Sequence, residues 1–519
     1  MNTFGGAAAS VCDRLKGMPL VVRRDCCLYK SKAPPDTTQV VALDRQFERM
    51  PMHSLCRTLS GKGAVFLLAL AILTSASSSA QEPGEVPKEE SPARPTQATT
   101  LFKNVRVFDG LSGQISAPRD VLVRGNKIER IATQVPVEPA TLVIDGTNRV
   151  LMPGLSDVHW HMMFAAVSFA TAMNGDRAYL ALAAGAEATR TLMRGFTTVR
   201  DMGGSTFGLK EAIDQGLLPG PRVFPSGAMI SVTGGHGDFR SFSDLPRQYG
   251  APGSRHDIDG DSTIADGPDE VRMRAREQLM RGASQIKLTA GGGVTSPHSP
   301  LDVVTFTEAE LRAAVEAAGN WGTYVAAHAF TSTAVAQAIS AGVKCIEHGF
   351  LMDEETAQLM ARKGIWLSTQ PIPEELAYAF PRDSDQWNKA QEVFTGVDRT
   401  YTLAKKYKLK TAFGTDVLFS AALASQQGGI LASLTKWYTP AQVLVMATGT
   451  NGELLALSGK RSPYPGTIGV VREGALADLL LVNGDPVADI SLITKPDESF
   501  AVIMKDGVIY KNQLSQPKH

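Results

Sequence analysis

Residues 155–161 read LSDVHWH, a short apolar run that ends on two histidines two places apart. On a strand alternate side chains share a face, so His159 and His161 project together and can grip one cation. Runs of the same kind recur down the chain: FTTVRDMG (196–203), RVFPSGAMIS (222–231), QIKLTAGGG (285–293), YVAAHAF (324–330), CIEHGF (345–350), IWLSTQP (365–371) and KTAFGTD (410–416). Helical patterns separate several of them, among them DRAYLALAAGAEATRTLMRG (176–195), DEVRMRAREQLMRG (269–282) and TEAELRAAVEAAGNWG (307–322), the last with a capping box of Thr307 and Glu310. Strands alternating with helices predict an α/β fold, a (β/α)8 TIM barrel over 154–454, with a doubly wound open sheet as the alternative that alternation alone leaves open.

Outside this span the pattern becomes short alternating strands. LFKNVRVFDG opens one block, with a hairpin turn at Gly125-Asn126, and FAVIMKDGVIYKN closes another, with a turn at Asp506-Gly507. Residues 100–153 and 455–519 are expected to form one small β-sandwich-like domain built from both chain ends.

The polar residues sit at the ends of the barrel strands. His159 and His161 end the first, Lys287 lies in the fourth, His328 near the end of the fifth, His348 in the sixth and Asp416 at the end of the eighth. In a barrel these ends converge on one mouth. A lone histidine in an apolar strand is more often a satisfied core residue, but four of the nine histidines in the chain fall at strand ends, joined there by an aspartate. An ammonium at position 287 on an inward-facing strand costs several kcal/mol unless neutralised or paired. Burial lowers a lysine pKa, and the neutral amine can take up carbon dioxide as a carbamate able to bridge two metal ions. The alternative is a lysine paired with a carboxylate.

The VHWH form of the H-x-H motif, the strand-four lysine, the histidine in AAHAF, the EHG triplet, GTD and the ADLLLVNGDP segment together make the chain resemble the amidohydrolase superfamily over about 100–515. GGHGD (234–238) followed by IKLTAGGGVTSP resembles the branch of imidazolonepropionase-like proteins, Xaa-Pro dipeptidases, carboxypeptidases and ochratoxin-hydrolysing amidases. The resemblance implies two divalent metal ions, with zinc expected. His159, His161 and Asp416 would bind one and His328 and His348 the other, with Lys287 as a bridging N6-carboxylysine. It also implies that a metal-bound hydroxide attacks the amide, that Asp416 moves the proton, and that His236 faces the substrate carbonyl or carboxylate. The expected reaction is hydrolysis of an amide bond, releasing a C-terminal amino acid from a dipeptide-like or N-acyl substrate. A cyclic amide or lactone hydrolase and a non-catalytic exported metal-binding scaffold are the competing readings. In the long polar stretch 237–266, Arg240, Arg247 and Arg255 are candidate partners for a substrate carboxylate, and Met162-Met163-Phe164 is a candidate apolar wall.

Composition bounds the rest. Lys+Arg and Asp+Glu balance at 52 each, but residues 1–80 hold ten basic and five acidic side chains, which leaves 42 against 47 in the remainder. A nucleic-acid partner is not expected, because phosphates demand a basic surplus. The expected partner is a small molecule or short peptide, and a homo-oligomer is expected, as among the proteins the chain resembles. Residues 52–80 have the layout of a secretory signal: Arg57 and Lys62, an apolar run from Ala64 to Leu73, then small residues to Ala80. Cleavage after Ala80 predicts an exported protein, periplasmic or secreted, and the run is shorter than the roughly 20 residues of a membrane span. Translation is then expected to start at Met50 or Met52, with 1–51 a non-native upstream extension and 81–99 a disordered linker rich in Pro and Glu. The mature chain would keep a single cysteine, Cys345, and no intrachain disulfide.

Overall fold

The computed structural model describes residues 98–246 and 252–514; the expected extension, signal peptide and nearly all of the linker lie outside the described residues, as does Arg247. Ten short strands between 155 and 413 are parallel and buried on both faces, which explains their unbroken apolar composition. One sheet joins Leu155–Trp160, Phe196–Asp201 and Arg222–Pro225. The other runs in the order Ser262–Ile264, Met229–Ser231, Ile286–Thr289, Val325–Thr331, Cys345–Leu351, Trp366–Thr369 and Lys410–Phe413. Helices link most neighbours, and the one over Glu308–Asn320 begins with the expected Thr307/Glu310 capping box.

The single strand expected over 222–231 is therefore two. Pro225 and the left-handed Gly227 (φ 72°) break the ladder, the Ala228 amide turns aside to donate to Gln278 Oε1 at 3.0 Å, and the two halves pair with different sheets. The polar stretch after it is also more structured than a plain loop, because it contains the helix Arg255–Asp259 and the edge strand Ser262–Ile264.

Side chains bridge the sheets where no ladder does. Gln285 Nε2 donates to the carbonyls of Asp201 (3.3 Å) and Phe224 (3.0 Å). Between the first and last of these strands, Asn451 Nδ2 donates to Ser156 O (3.0 Å) and Phe413 O (2.9 Å), while its Oδ1 accepts from Phe413 N (2.9 Å). Asn451 is fully buried, so each of these groups would otherwise be an unsatisfied polar atom in the core.

Strands from both ends of the chain share one further sheet. Arg149–Pro153 pairs parallel with Thr99–Val107 and antiparallel with Leu479–Asn483, which continues into the hairpin Phe500–Lys505/Val508–Asn512. Both predicted two-residue turns are present. Arg222, from the parallel strands, fastens the two parts by hydrogen bonds to Asp478 (2.7 and 3.1 Å) and Asp506 (2.7 Å). No helix among the described residues is long and apolar enough to cross a membrane.

Candidate active site

The strands deliver their carboxyl ends to one cavity, and His159, His161, His236, Lys287, His328, His348 and Asp416 all line it. The rings lie close: His159 to His348 at 4.9 Å, His328 to His348 at 4.5 Å, His159 to His161 at 5.4 Å and His236 to His328 at 4.4 Å between centroids. Ligand atoms of His159, His348 and Asp416 fall within 4.8 Å of one another.

Each strand-end imidazole is held through one nitrogen. His159 Nδ1 lies 2.7 Å from Glu347 Oε2, His161 Nδ1 3.1 Å from Gly203 O, His348 Nδ1 2.8 Å from Gln370 Oε1 and His328 Nε2 2.8 Å from Gly292 O. All four partners are acceptors, so the held nitrogen carries the proton and the other keeps its lone pair. The free atoms are thus Nε2 of His159, His161 and His348 and Nδ1 of His328. Asp416 Oδ1 lies 3.4 Å from His159 Nε2 and 3.3 Å from His161 Nε2. Burial pushes the pKa values of His159, His328 and His348 well down, which keeps those rings neutral.

Lys287 is buried, and among the described residues its Nζ has no hydrogen-bond or ion-pair partner. Burial lowers its pKa against the opposing pull of Glu347 and Asp416. Burial alone would raise the Asp416 carboxyl, but the neighbouring His159 and His161 carry it below its usual range. Four imidazoles with one free nitrogen each, a carboxylate and a buried amine without a partner form a donor set that suits divalent cations of the zinc type.

The local backbone is unusual at two of these residues. His348 (φ 74°) and Asp416 (φ 53°) both occupy the left-handed region, a strained state for non-glycine residues that must be held by its surroundings. For Asp416 the hold comes from its own amide, which donates to His159 O (2.8 Å), and from Thr415, whose amide and hydroxyl donate to Asp157 at 3.1 and 2.7 Å. A Cβ on Gly414 would run into His159, so only glycine lets this segment approach.

Several supporting residues escaped the motif reading. Glu347 is fully buried and carries both His159 and Arg200, whose Nη2 donates to Oε1 at 2.8 Å. Burial disfavours both charges, but Glu347 outweighs it for Arg200 and Arg200 for Glu347, so each stays ionised. Strand alternation would send Glu347 and His348 to opposite faces; the left-handed turn at His348 and Gly349 breaks that alternation, so both serve the site. Gln370 and the Gly203 and Gly292 carbonyls had no signal beyond their strand-end positions.

Arg240 and Arg255 do not line the cavity. Arg240 is spent on Asp238 (2.8 and 2.6 Å), and Arg255 on Asp259 (3.2 Å) and Gly175 O (2.9 Å). Of the Met162-Met163-Phe164 run, Phe164 lines the cavity while the two methionines pack into the core. The rest of the wall is strongly apolar and comes from separate loops and helices: Met173, Phe239, Ile372, Leu376, Phe380, Phe394, Leu418 and Phe419. Phe169 braces it, edge-on to Phe380 (5.8 Å) and Phe419 (5.0 Å).

A family model described as the amidohydrolase family matches residues 150–511. The ochratoxinase of Aspergillus niger is 31% identical over 379 residues, 70% of this chain and 76% of that protein. Among solved structures, an amidohydrolase is 34% identical with a TM-score of 0.74, covering 80% of this chain and all of its own. A prolidase in complex with N-methylphosphonate-L-proline is 30% identical, also with a TM-score of 0.74 and the same coverage.

Proposed function

Because the chain belongs to the amidohydrolase family, whose chemistry is hydrolysis of amide bonds, we propose that it is a binuclear metal-dependent enzyme releasing a C-terminal amino acid from an N-acyl or dipeptide-like substrate with an aromatic or bulky apolar acyl group. We infer also that the two parallel sheets form a closed barrel, with Asn451 spanning the gap between its first and last strands. The observation that carries the reading is the convergence of seven polar residues on one cavity, four of them imidazoles whose free nitrogens are fixed by buried acceptors.

In this arrangement His159, His161 and Asp416 would hold one divalent ion and His328 and His348 the second, with Lys287 contributing to both if carboxylated. Such ions supply Lewis acidity, making water more acidic and polarising a carbonyl. The protein's own work is positional. Asp416 Oδ1 faces the His159 and His161 Nε2 atoms, which leaves Oδ2 to take a proton from the attacking water and return it to the departing amine. His236 faces the carbonyl oxygen and stabilises the negative charge that develops there. The phenylalanines exclude water and seat the acyl group. The printed name of the fungal relative, ochratoxinase, and the proline-containing ligand of the prolidase both accord with an amide whose leaving group is an amino acid.

The test is a panel of N-aroyl amino acids, dipeptides, cyclic amides and lactones with metal-loaded protein. Free amino acid should appear from the first two groups, fastest with aromatic acyl groups. Turnover of the cyclic compounds alone would replace this reading with ring opening, and no turnover of any would support a non-catalytic metal scaffold. Export, inferred from residues 52–80, is tested by N-terminal sequencing of the natural protein, expected to begin at Gln81.

A further inference from the structure

His236 reaches the cavity from the GGHGD segment, and its ring is placed by three features of the chain. A Cβ on Gly293 would overlap the imidazole, so the third glycine of the strand-four run is what makes room for it. On one edge, His236 Nδ1 lies 3.0 Å from Ser296 Oγ. That same oxygen accepts the Gly237 amide at 2.8 Å, and the Ser296 carbonyl accepts from Lys389 Nζ at 3.3 Å, so the serine is fixed at both its polar ends.

The hydroxyl's own proton then decides the state of the ring. A serine oxygen has one proton to donate and two lone pairs. Gly237 N can only donate, so it takes a lone pair. Ser296 has no solvent exposure, and among the described residues Nδ1 of His236 is the one acceptor within reach of its hydroxyl. If Nδ1 carried a proton, the serine would accept twice and its O–H would be buried without a partner, an arrangement that native interiors avoid. An imidazole with an unprotonated Nδ1 carries its one proton on Nε2.

The geometry points to Ser296 as a positioning residue that donates to His236 Nδ1, fixes the ring as its Nε2–H tautomer and so makes it a ready hydrogen-bond donor to the carbonyl oxygen of the amide. This rests on the proposed hydrolase reading for its use, but the tautomer itself is a property of the protein without substrate. It gives the third glycine and the serine of AGGGVTSP a shared purpose: one makes room for the imidazole and the other orients its proton.

The experiment is 15N NMR of 15N-histidine-labelled, metal-loaded protein, with the His236 signals identified by their loss in His236→Gln. The expected spectrum at neutral pH has a protonated Nε2 and an unprotonated Nδ1; a protonated Nδ1 overturns the proposal whatever the enzyme turns over. Ser296→Ala should give mixed tautomer signals and lower kcat about tenfold, with KM within about twofold. That is a fraction of the roughly hundredfold expected from losing the donor altogether in His236→Ala. Ser296→Thr, which keeps the hydroxyl, should restore both the signal and kcat to within about threefold. Unchanged tautomer and unchanged kcat in Ser296→Ala would overturn it. Because the spectrum needs no substrate, inactivity across the amide panel would defeat the hydrolase reading and leave this one standing.

Discussion

The floor and the wall of the cavity are built on opposite principles. On the floor, the strand-end imidazoles and Asp416 are tied to named hydrogen-bond partners: Glu347, Gln370, two backbone carbonyls and the Asp157–Thr415 pair. On the wall, phenylalanine, methionine and leucine side chains from scattered loops and helices meet with no polar anchor. The floor sits on adjacent strands, where the ladder fixes position; the wall sits on connections that can change without disturbing it. The contrast implies that floor substitutions should strike turnover and metal retention, and wall substitutions should strike the choice of substrate.

The largest expected effect comes from the floor itself. Lys287→Ala and Asp416→Asn should each lower kcat by about a thousandfold or more, as removal of a bridging ligand or a proton-transfer group does. Chelation should abolish activity and metal return restore it. A wall that mattered equally would show the same loss in Phe419→Ala, and the contrast would fail.

One step back from the proposed metal ligands, Glu347→Gln leaves the buried Arg200 cation and the His159 Nδ1–H against an uncharged amide. Losing one partner of a buried pair costs about 3–5 kcal/mol, and loosening a ligand's support costs roughly 10- to 100-fold in metal affinity. Denaturant midpoints and competitive metal titration would measure the two separately. A full-strength metal site in this variant would show that the floor does not depend on its second layer.

At the wall, Phe419→Ala should lower kcat/KM for aromatic acyl substrates about tenfold, from lost apolar contact, while leaving small acyl substrates and metal content nearly unchanged. The smallest effect lies away from both. Burial pushes the Asp506 carboxyl up, but Arg222 overrides it and the net shift is downward. Its stabilisation is therefore complete above the ordinary carboxylate range and is lost as the pH falls through the lowered value. Asp506→Asn should trim the thermal midpoint slightly at neutral pH and not at all in strong acid, since a half-exposed pair is worth less than about 1 kcal/mol.

The floor was largely legible in the sequence because its chemistry is carried by rare residue types at strand ends. Histidine, lysine and aspartate stand out in apolar runs, and the period of two placed His159 beside His161. What supports them was not legible. Glu347 reads as the wrong face of its strand until the left-handed backbone at His348 is known, and a carbonyl such as Gly292 O has no sequence signature at all. The break at Pro225–Ala228 was hidden because both halves of 222–231 are equally apolar, so composition could not show that they pair in different sheets. The wall was illegible for a further reason: an isolated phenylalanine in a loop reads as core or cavity alike, and Arg240, which looked free to meet a carboxylate, is bound to its neighbour Asp238.

The proposed mechanism requires the floor to be a two-ion centre joined through Lys287. Elemental analysis of active protein and of Lys287→Ala, purified in parallel, tests this most directly. Two divalent ions per chain in the former and one or none in the latter is the predicted result; a competent enzyme free of bound metal, or a variant that retains the full complement, would contradict it.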